Sequence, residues 1–322
     1  MAARDFPGVK SIMFLLVLFS VLVVSGCTTT DGGGISYGKG VIITGFESDM
    51  GSLAVETDDD VSLLLRVQNQ GEVDATNVEA LLIGVDLDEW NAAFGYSEDQ
   101  NLNTLMSADP VTETEGQTKT AQWDLRAPKL PKGTEFTYEP VVRVFYDYQT
   151  KAAKPVTLVD VDELRRIIQQ GKTLSGETTQ SSSGPITVQI KTGNFIKTQN
   201  YDDPFPLNIF ITNDLWESGG SVIEGSSTGG FYYGDIQYPV RVKITLPEGM
   251  RLESSSSTGC STSGDWINLW KGKSAELTCE VRIDQPPDYK VEKLIQVELE
   301  YRYFVDASTT IKVIGTDEDW RF

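Results

Sequence analysis

The chain has 322 residues, 39% of them hydrophobic and 10% aromatic, with 47 acidic against 27 basic side chains and a net charge of −20. That composition supports packed cores and not a disordered chain, and an acidic balance with no clustered Lys/Arg stripe argues against nucleic-acid binding. The absence of histidine removes Ser-His-Asp and Cys-His nucleophile systems, and His-ligated zinc or iron, from the chemistry open to this chain.

The leader comes first. Met1 to Lys10 carries Arg4 and Lys10 against one acid, Asp5, and Ser11 to Val24 is apolar. A basic start before an apolar run has the form of a secretory signal. The run, at about 14 residues, is short for a bilayer-spanning helix, which needs about 20. Val24-Ser25-Gly26-Cys27 then resembles a lipobox, in which the cysteine becomes the lipid-bearing N-terminus. This predicts a signal peptide over residues 1–26 and a lipid on Cys27, with residues 27–40 as a flexible tether to the membrane. Three other readings stay open: an ordinary signal peptide with a chance cysteine, an uncleaved N-terminal anchor, and a pilin-type leader.

Beyond the tether the chain reads as two copies of one β unit, over 41–160 and 185–322. Val61, Leu63, Leu65 and Val67 alternate as a half-buried strand should, before a turn at Asn69-Gln70-Gly71. Leu207, Ile209 and Ile211 repeat the pattern before Asn213. Tyr146 to Val159 aligns with Tyr301 to Ile314: Tyr146 meets Tyr301, Tyr148 meets Tyr303, Val156 meets Ile311 and Leu158 meets Val313. Each of these stretches reads as a hairpin with a polar turn. The Leu-x-Lys-Gly strings at Leu130–Gly133 and Leu269–Gly272 extend the match upstream. The expected fold is all-β, two tandem antiparallel sandwiches. Residues 161–184 link them. There Val161, Leu164, Ile167 and Ile168 mark one face of a short helix ended by Gly171, followed by a flexible Ser/Thr-rich linker.

Val67-Gln68-Asn69-Gln70-Gly71, then Ala75-Thr76-Asn77-Val78, and Lys132-Gly133 before a late strand resemble the CARDB and S-layer-associated Ig-like modules of prokaryotic, here archaeal, surface proteins. The resemblance covers most of the first copy; in the second, Gly71 has no counterpart in the sequence. It implies Ig-like sandwiches at a cell surface and implies no ligand.

Candidate sites follow. With Cys27 assigned to lipid, Cys260 and Cys279 remain, and in an exported protein an even remainder suggests a disulfide; two reduced buried thiols are the alternative. Two segments break the sandwich pattern. In Asp86 to Gln117, Trp90, Phe94 and Tyr96 are placed to cover an open sheet edge, or to meet a partner. In Trp216 to Tyr238, Trp216, Phe231, Tyr232 and Tyr233 form a candidate binding loop, since aromatic rings on loops suit stacking on sugars or proteins. Asp58-Asp59-Asp60, Asp86/Asp88/Glu89 and Asp202-Asp203 lack EF-hand spacing and read as solvated turns, so no metal is expected. No cofactor motif follows a strand. The expected function is non-enzymatic: a lipid-anchored, extracytoplasmic protein serving adhesion, envelope structure or protein assembly, with other envelope proteins or glycans as partners. The alternatives are a glycan-binding or transporter-associated lipoprotein and a His-free glycoside hydrolase.

Overall fold

The computed structural model describes residues 40–51, 53–90, 97–198, 204–223, 237–253 and 259–316. The leader, Cys27, Phe94, Tyr96, Asp202, Asp203, Phe231, Tyr232 and Tyr233 lie outside them. The strands of the first repeat are β1 (Val41–Ser48), β2 (Val55–Glu56), β3 (Asp60–Asn69), β4 (Ala75–Ile83), β5 (Asp99–Leu105), β6 (Thr118–Arg126), β7 (Glu135–Tyr138) and β8 (Val141–Val159). Helix α1 (Val161–Gln169) and the linker strand β9 (Gln180–Ser181) follow. The second repeat holds β10 (Ile186–Lys191), β11 (Ile196–Lys197), β12 (Phe205–Asn213), β13 (Ser221–Val222), β14 (Pro239–Thr245), β15 (Met250–Leu252), β16 (Asp265–Asn268), β17 (Ser274–Ile283), β18 (Val291–Ser308) and β19 (Ile311–Ile314).

The fold is all-β, built from layered, mainly antiparallel sheets. One layer of the first repeat is β1-β3-β6, and its counterpart in the second is β10-β12-β17-β15. Both pack on a single sheet shared by the two repeats, with order β16-β14-β18-β8-β4-β5. Strand β5 lies inside the segment Asp86 to Gln117, so part of that break in the pattern is an edge strand of the shared sheet. The burial of β3 alternates as the sequence predicts, with Val61, Leu63, Leu65, Val67 and Asn69 inward. One hydrophobic core runs through both repeats, and the described residues, Gly40 to Thr316, belong to one compact unit.

The junction corrects the sequence reading. Tyr146 to Val159 forms no hairpin. Strand β8 runs straight through it and pairs with β18 from Leu158↔Val291 to Val141↔Ser308. The stretch Gln149-Thr150-Lys151-Ala152-Ala153-Lys154 has no Gly, Asn or Pro to open a two-residue turn. Its alternate residues Thr150, Ala152 and Lys154 are buried, so straight pairing satisfies the backbone and the pleat together. The same register continues beyond a short break, where β7 pairs with β19 from Tyr138↔Ile311 to Glu135↔Ile314.

The consequence is a reciprocal exchange of last strands. The end of β8 lies parallel to β11 of the second repeat, Leu158 against Ile196. Strand β19 lies parallel to β2 of the first repeat, Val313 against Val55. Each sandwich is therefore completed by the other repeat, as in domain-swapped dimers, here within one chain. The pairing is pseudo-symmetric: Tyr146 faces Tyr303, Tyr148 faces Tyr301, and the axis passes through Asp147 and Arg302.

The four tyrosines make a buried block on the inner side of this seam, with neighbouring centroids 5.8–6.2 Å apart. Tyr148 Oη donates to Ser183 O (3.1 Å), and Tyr303 Oη donates to Asn213 Oδ1 (2.6 Å). Asn69 and Asn213 each hold an Asx turn, Oδ1 accepting from Gly71 N and from Leu215 N. A side chain at Gly71 would overlap the Tyr148 hydroxyl, and one at Gly220 would come within 2.7 Å of that of Tyr303. Gly220 is thus the spatial counterpart of Gly71 that the sequence alignment lacks.

The Leu-x-Lys-Gly match is also revised. Gly133 precedes β7 and Gly272 precedes β17, which are not equivalent strands. Both glycines have positive φ (84° and 70°), so the strings share a turn conformation and not a position. Helix α1 forms as predicted. Asp160 caps it by accepting from Asp162 N and Glu163 N, and Leu164 is its buried anchor. The Ser/Thr-rich linker is strapped down where a flexible tether was expected. β9 pairs with Ala152 and Ala153, and Thr179 Oγ1 accepts from Ile190 N at 2.9 Å.

Candidate functional site: the outer face of the seam

Side chains alternate across a strand, so the residues between the inward tyrosines face outward. On β8 these are Arg143, Phe145, Asp147 and Gln149; on β18 they are Glu300, Arg302, Phe304 and Asp306. Across the ladder they meet as Arg143 with Asp306, Phe145 with Phe304, Asp147 with Arg302 and Gln149 with Glu300.

The centre is an ionic relay. Arg302, 13% exposed, donates through Nη1 to Asp147 Oδ1 (3.0 Å) and through Nη2 to Glu79 Oε2 of β4 (2.7 Å). Asn77 Nδ2 donates to Asp147 Oδ2 (2.7 Å). On the other side Arg241 of β14 reaches Glu300 Oε2 (2.9 Å). At the far end Arg143 forms a two-pronged pair with Asp306, at 2.8 and 2.7 Å, while its guanidinium lies 4.1 Å over the Phe304 ring. The hydrogen bonds from Arg143 to Asp306 raise its pKa above the usual arginine value. Behind the sheet, burial drives the hydroxyls of Tyr146, Tyr148, Tyr301 and Tyr303 well up, so all four stay neutral donors.

Two depressions flank the relay. One, of about 710 Å³, is lined by charged and polar groups, including Asp74, Glu79, Asp147, Arg241, Glu300 and Arg302, with Trp266 at its side. The other, of about 680 Å³, is lined by Phe145, Phe304, Trp216 and Tyr238, with the Arg143–Asp306 pair. Of the binding loop expected from the sequence, Trp216 therefore falls in a depression; Phe231, Tyr232 and Tyr233 are outside the described residues. Trp90 is fully buried and packs edge-on to Tyr138, centroids 4.9 Å apart, which places it in the core.

Cys260 and Cys279 form a disulfide. It ties the segment leading into β16 to β17, across the two layers of the second repeat. At the corresponding place in the first repeat, paired with Leu63 as Cys279 is with Leu207, stands the fully buried Trp123. Among the described residues no three His, Cys, Asp or Glu side chains converge as a metal site, and no helix is long and apolar enough to cross a membrane. Phe145, Asp147, Arg302 and Phe304 were not singled out from the sequence. The signal was there: two outward aromatics between charged residues, flanking Tyr-x-Tyr in both copies.

Compared with known protein families and with curated proteins, the chain matches none.

Proposed function

We propose that this chain is an extracytoplasmic lipoprotein, held on a membrane by a lipid on Cys27, that acts by contact and without enzymatic chemistry. Its role on this reading is adhesion, envelope structure or assembly with other envelope proteins, and the outer face of the seam is the contact surface. The observation that carries the reading is the Cys260–Cys279 disulfide. Structural disulfides persist in oxidising compartments outside the cytosol, and of three cysteines this one leaves Cys27 alone beside the apolar run. Membership among archaeal CARDB-like Ig modules belongs to the same proposal, supported by the Asn69 turn on which the resemblance rests.

The test is fractionation of cells making the native chain or Cys27→Ala. The native chain is expected in the membrane fraction and the variant in the soluble extracytoplasmic fraction. An unchanged membrane fraction for Cys27→Ala overturns the lipid anchor. A second reading, a lipoprotein that binds a small ligand, is favoured by one observation: the aromatic depression beside Trp216.

A further inference from the structure

The aromatic depression lies to one side of the pseudo-two-fold axis, and the charged one extends from the axis residues Asp147 and Arg302 to the other side, so equivalent positions of the seam can be compared across the axis. What the fold requires recurs on both sides: the buried tyrosines, the Asx turns of Asn69 and Asn213, and the close-packed Gly71 and Gly220. What the fold leaves free has diverged. Phe145 and Phe304 occupy the positions that Glu300 and Gln149 fill across the axis. A sheet that accepts Glu and Gln there does not need two rings for its stability, and the rings line a depression with Trp216 and Tyr238.

The geometry points to a saccharide-binding site in this aromatic depression, a proposal that deepens the contact-based reading above. A sugar ring has an apolar C–H face and a rim of hydroxyls. Phe145, Trp216 and Tyr238 supply flat apolar area at little entropic cost, and Phe304 adds its edge and the face away from the Arg143 guanidinium. The Arg143–Asp306 pair supplies hydrogen-bonding groups already fixed in a plane by their own two-pronged contact. Two of the five guanidinium N–H groups go to Asp306, leaving others for hydroxyls. The pair is neutral overall, which favours an uncharged saccharide over an anionic or cationic one. The volume of about 680 Å³ falls in the range of roughly 300–1,000 Å³ typical of small-ligand sites.

The test uses the full chain, purified in detergent micelles and titrated calorimetrically with cellotetraose, mannotetraose and chitotetraose, with Trp fluorescence recorded in parallel. At least one tetrasaccharide should bind the native chain. Phe304→Gln and Phe145→Glu, which install the residues found across the axis, should each weaken binding by about tenfold or more, the loss expected when a central aromatic is removed. Gln149→Ala, in the charged depression, should change it by less than about twofold. Should either Phe variant fail to fold, judged by its melting curve, Asp306→Asn keeps the shape and should still weaken binding severalfold. No binding of any of the three by the native chain, or binding unchanged in the depression variants, overturns the proposal. Such a failure with Cys27-dependent membrane retention intact removes the saccharide and leaves the anchored contact protein standing; loss of Cys27 dependence with saccharide bound does the reverse.

Discussion

Replacing Arg302 by Met keeps most of the side chain's apolar bulk and deletes the charge at the centre of the seam. Arg302 makes two charged hydrogen bonds, to Asp147 and Glu79. Bonds of this kind contribute about 1.5–3 kcal/mol each when well shielded. Here the carboxylates are 38% and 47% exposed and regain water when the cation leaves, which reduces each contribution by about half. Arg302 Nε is also buried with no hydrogen-bond partner among the described residues, and Met removes that penalty. The expected loss is therefore about 1–2 kcal/mol, or roughly 2–6 °C in melting temperature for a protein of this size. Urea denaturation followed by circular dichroism reads the loss directly. A cycle with Asp147→Asn should show coupling above about 0.5 kcal/mol, because the two residues touch. A loss below about 0.5 kcal/mol, the level of an ordinary surface pair, would refute the relay as a fastening of the seam.

Two other outcomes follow from the core. Cys260→Ser with Cys279→Ser opens a loop of sequence separation 19 and should cost about 3 kcal/mol by chain entropy; equal stability of the reduced and oxidised chain in denaturant would contradict that. Alkaline stability follows from tyrosine. Burial raises the pKa of Tyr146, Tyr148, Tyr301 and Tyr303 in the folded chain above the value near 10, and Tyr138, by burial and its hydrogen bond to Glu89, rises to about 12. Below pH 10 both folded and unfolded forms hold these protons, so the contribution is complete. Above it the unfolded chain ionises first, and stability should fall as pH rises from about 10 through 12. Ionisation of the buried tyrosines, read at 295 nm, should coincide with unfolding; their titration in a still-folded chain near pH 10 would refute the burial argument.

The two all-β repeats were legible in the sequence because strand alternation and the Tyr-x-Tyr match are local signals. Val61 to Val67 and Leu207 to Ile211 lie where their periodicity put them. Pairing between the repeats was not legible. A polar stretch such as Gln149 to Lys154 is compatible with a turn or with a strand, and the choice is made by β18, more than a hundred residues away. The alignment set Tyr146 beside Tyr301 as a sequence equivalent; in space Tyr146 faces Tyr303, the partner that antiparallel pairing about an axis requires. In the alignment Asp147 against Arg302 is an ordinary mismatch between copies. On the axis that mismatch matters, because identical copies would set like charge against like, whereas Asp147 and Arg302 attract. The aromatic depression was half visible, through Trp216; Phe145 and Phe304 needed the seam to bring them together.

The claim on which the rest depends is that each repeat is completed by the other's last strand, which is what creates the seam and its outer face. Scanning calorimetry of the full chain tests it most directly. Reciprocal exchange predicts one transition, with equal calorimetric and van't Hoff enthalpies. Two resolved transitions, each carrying about half of the heat, would show the repeats folding independently and would contradict it.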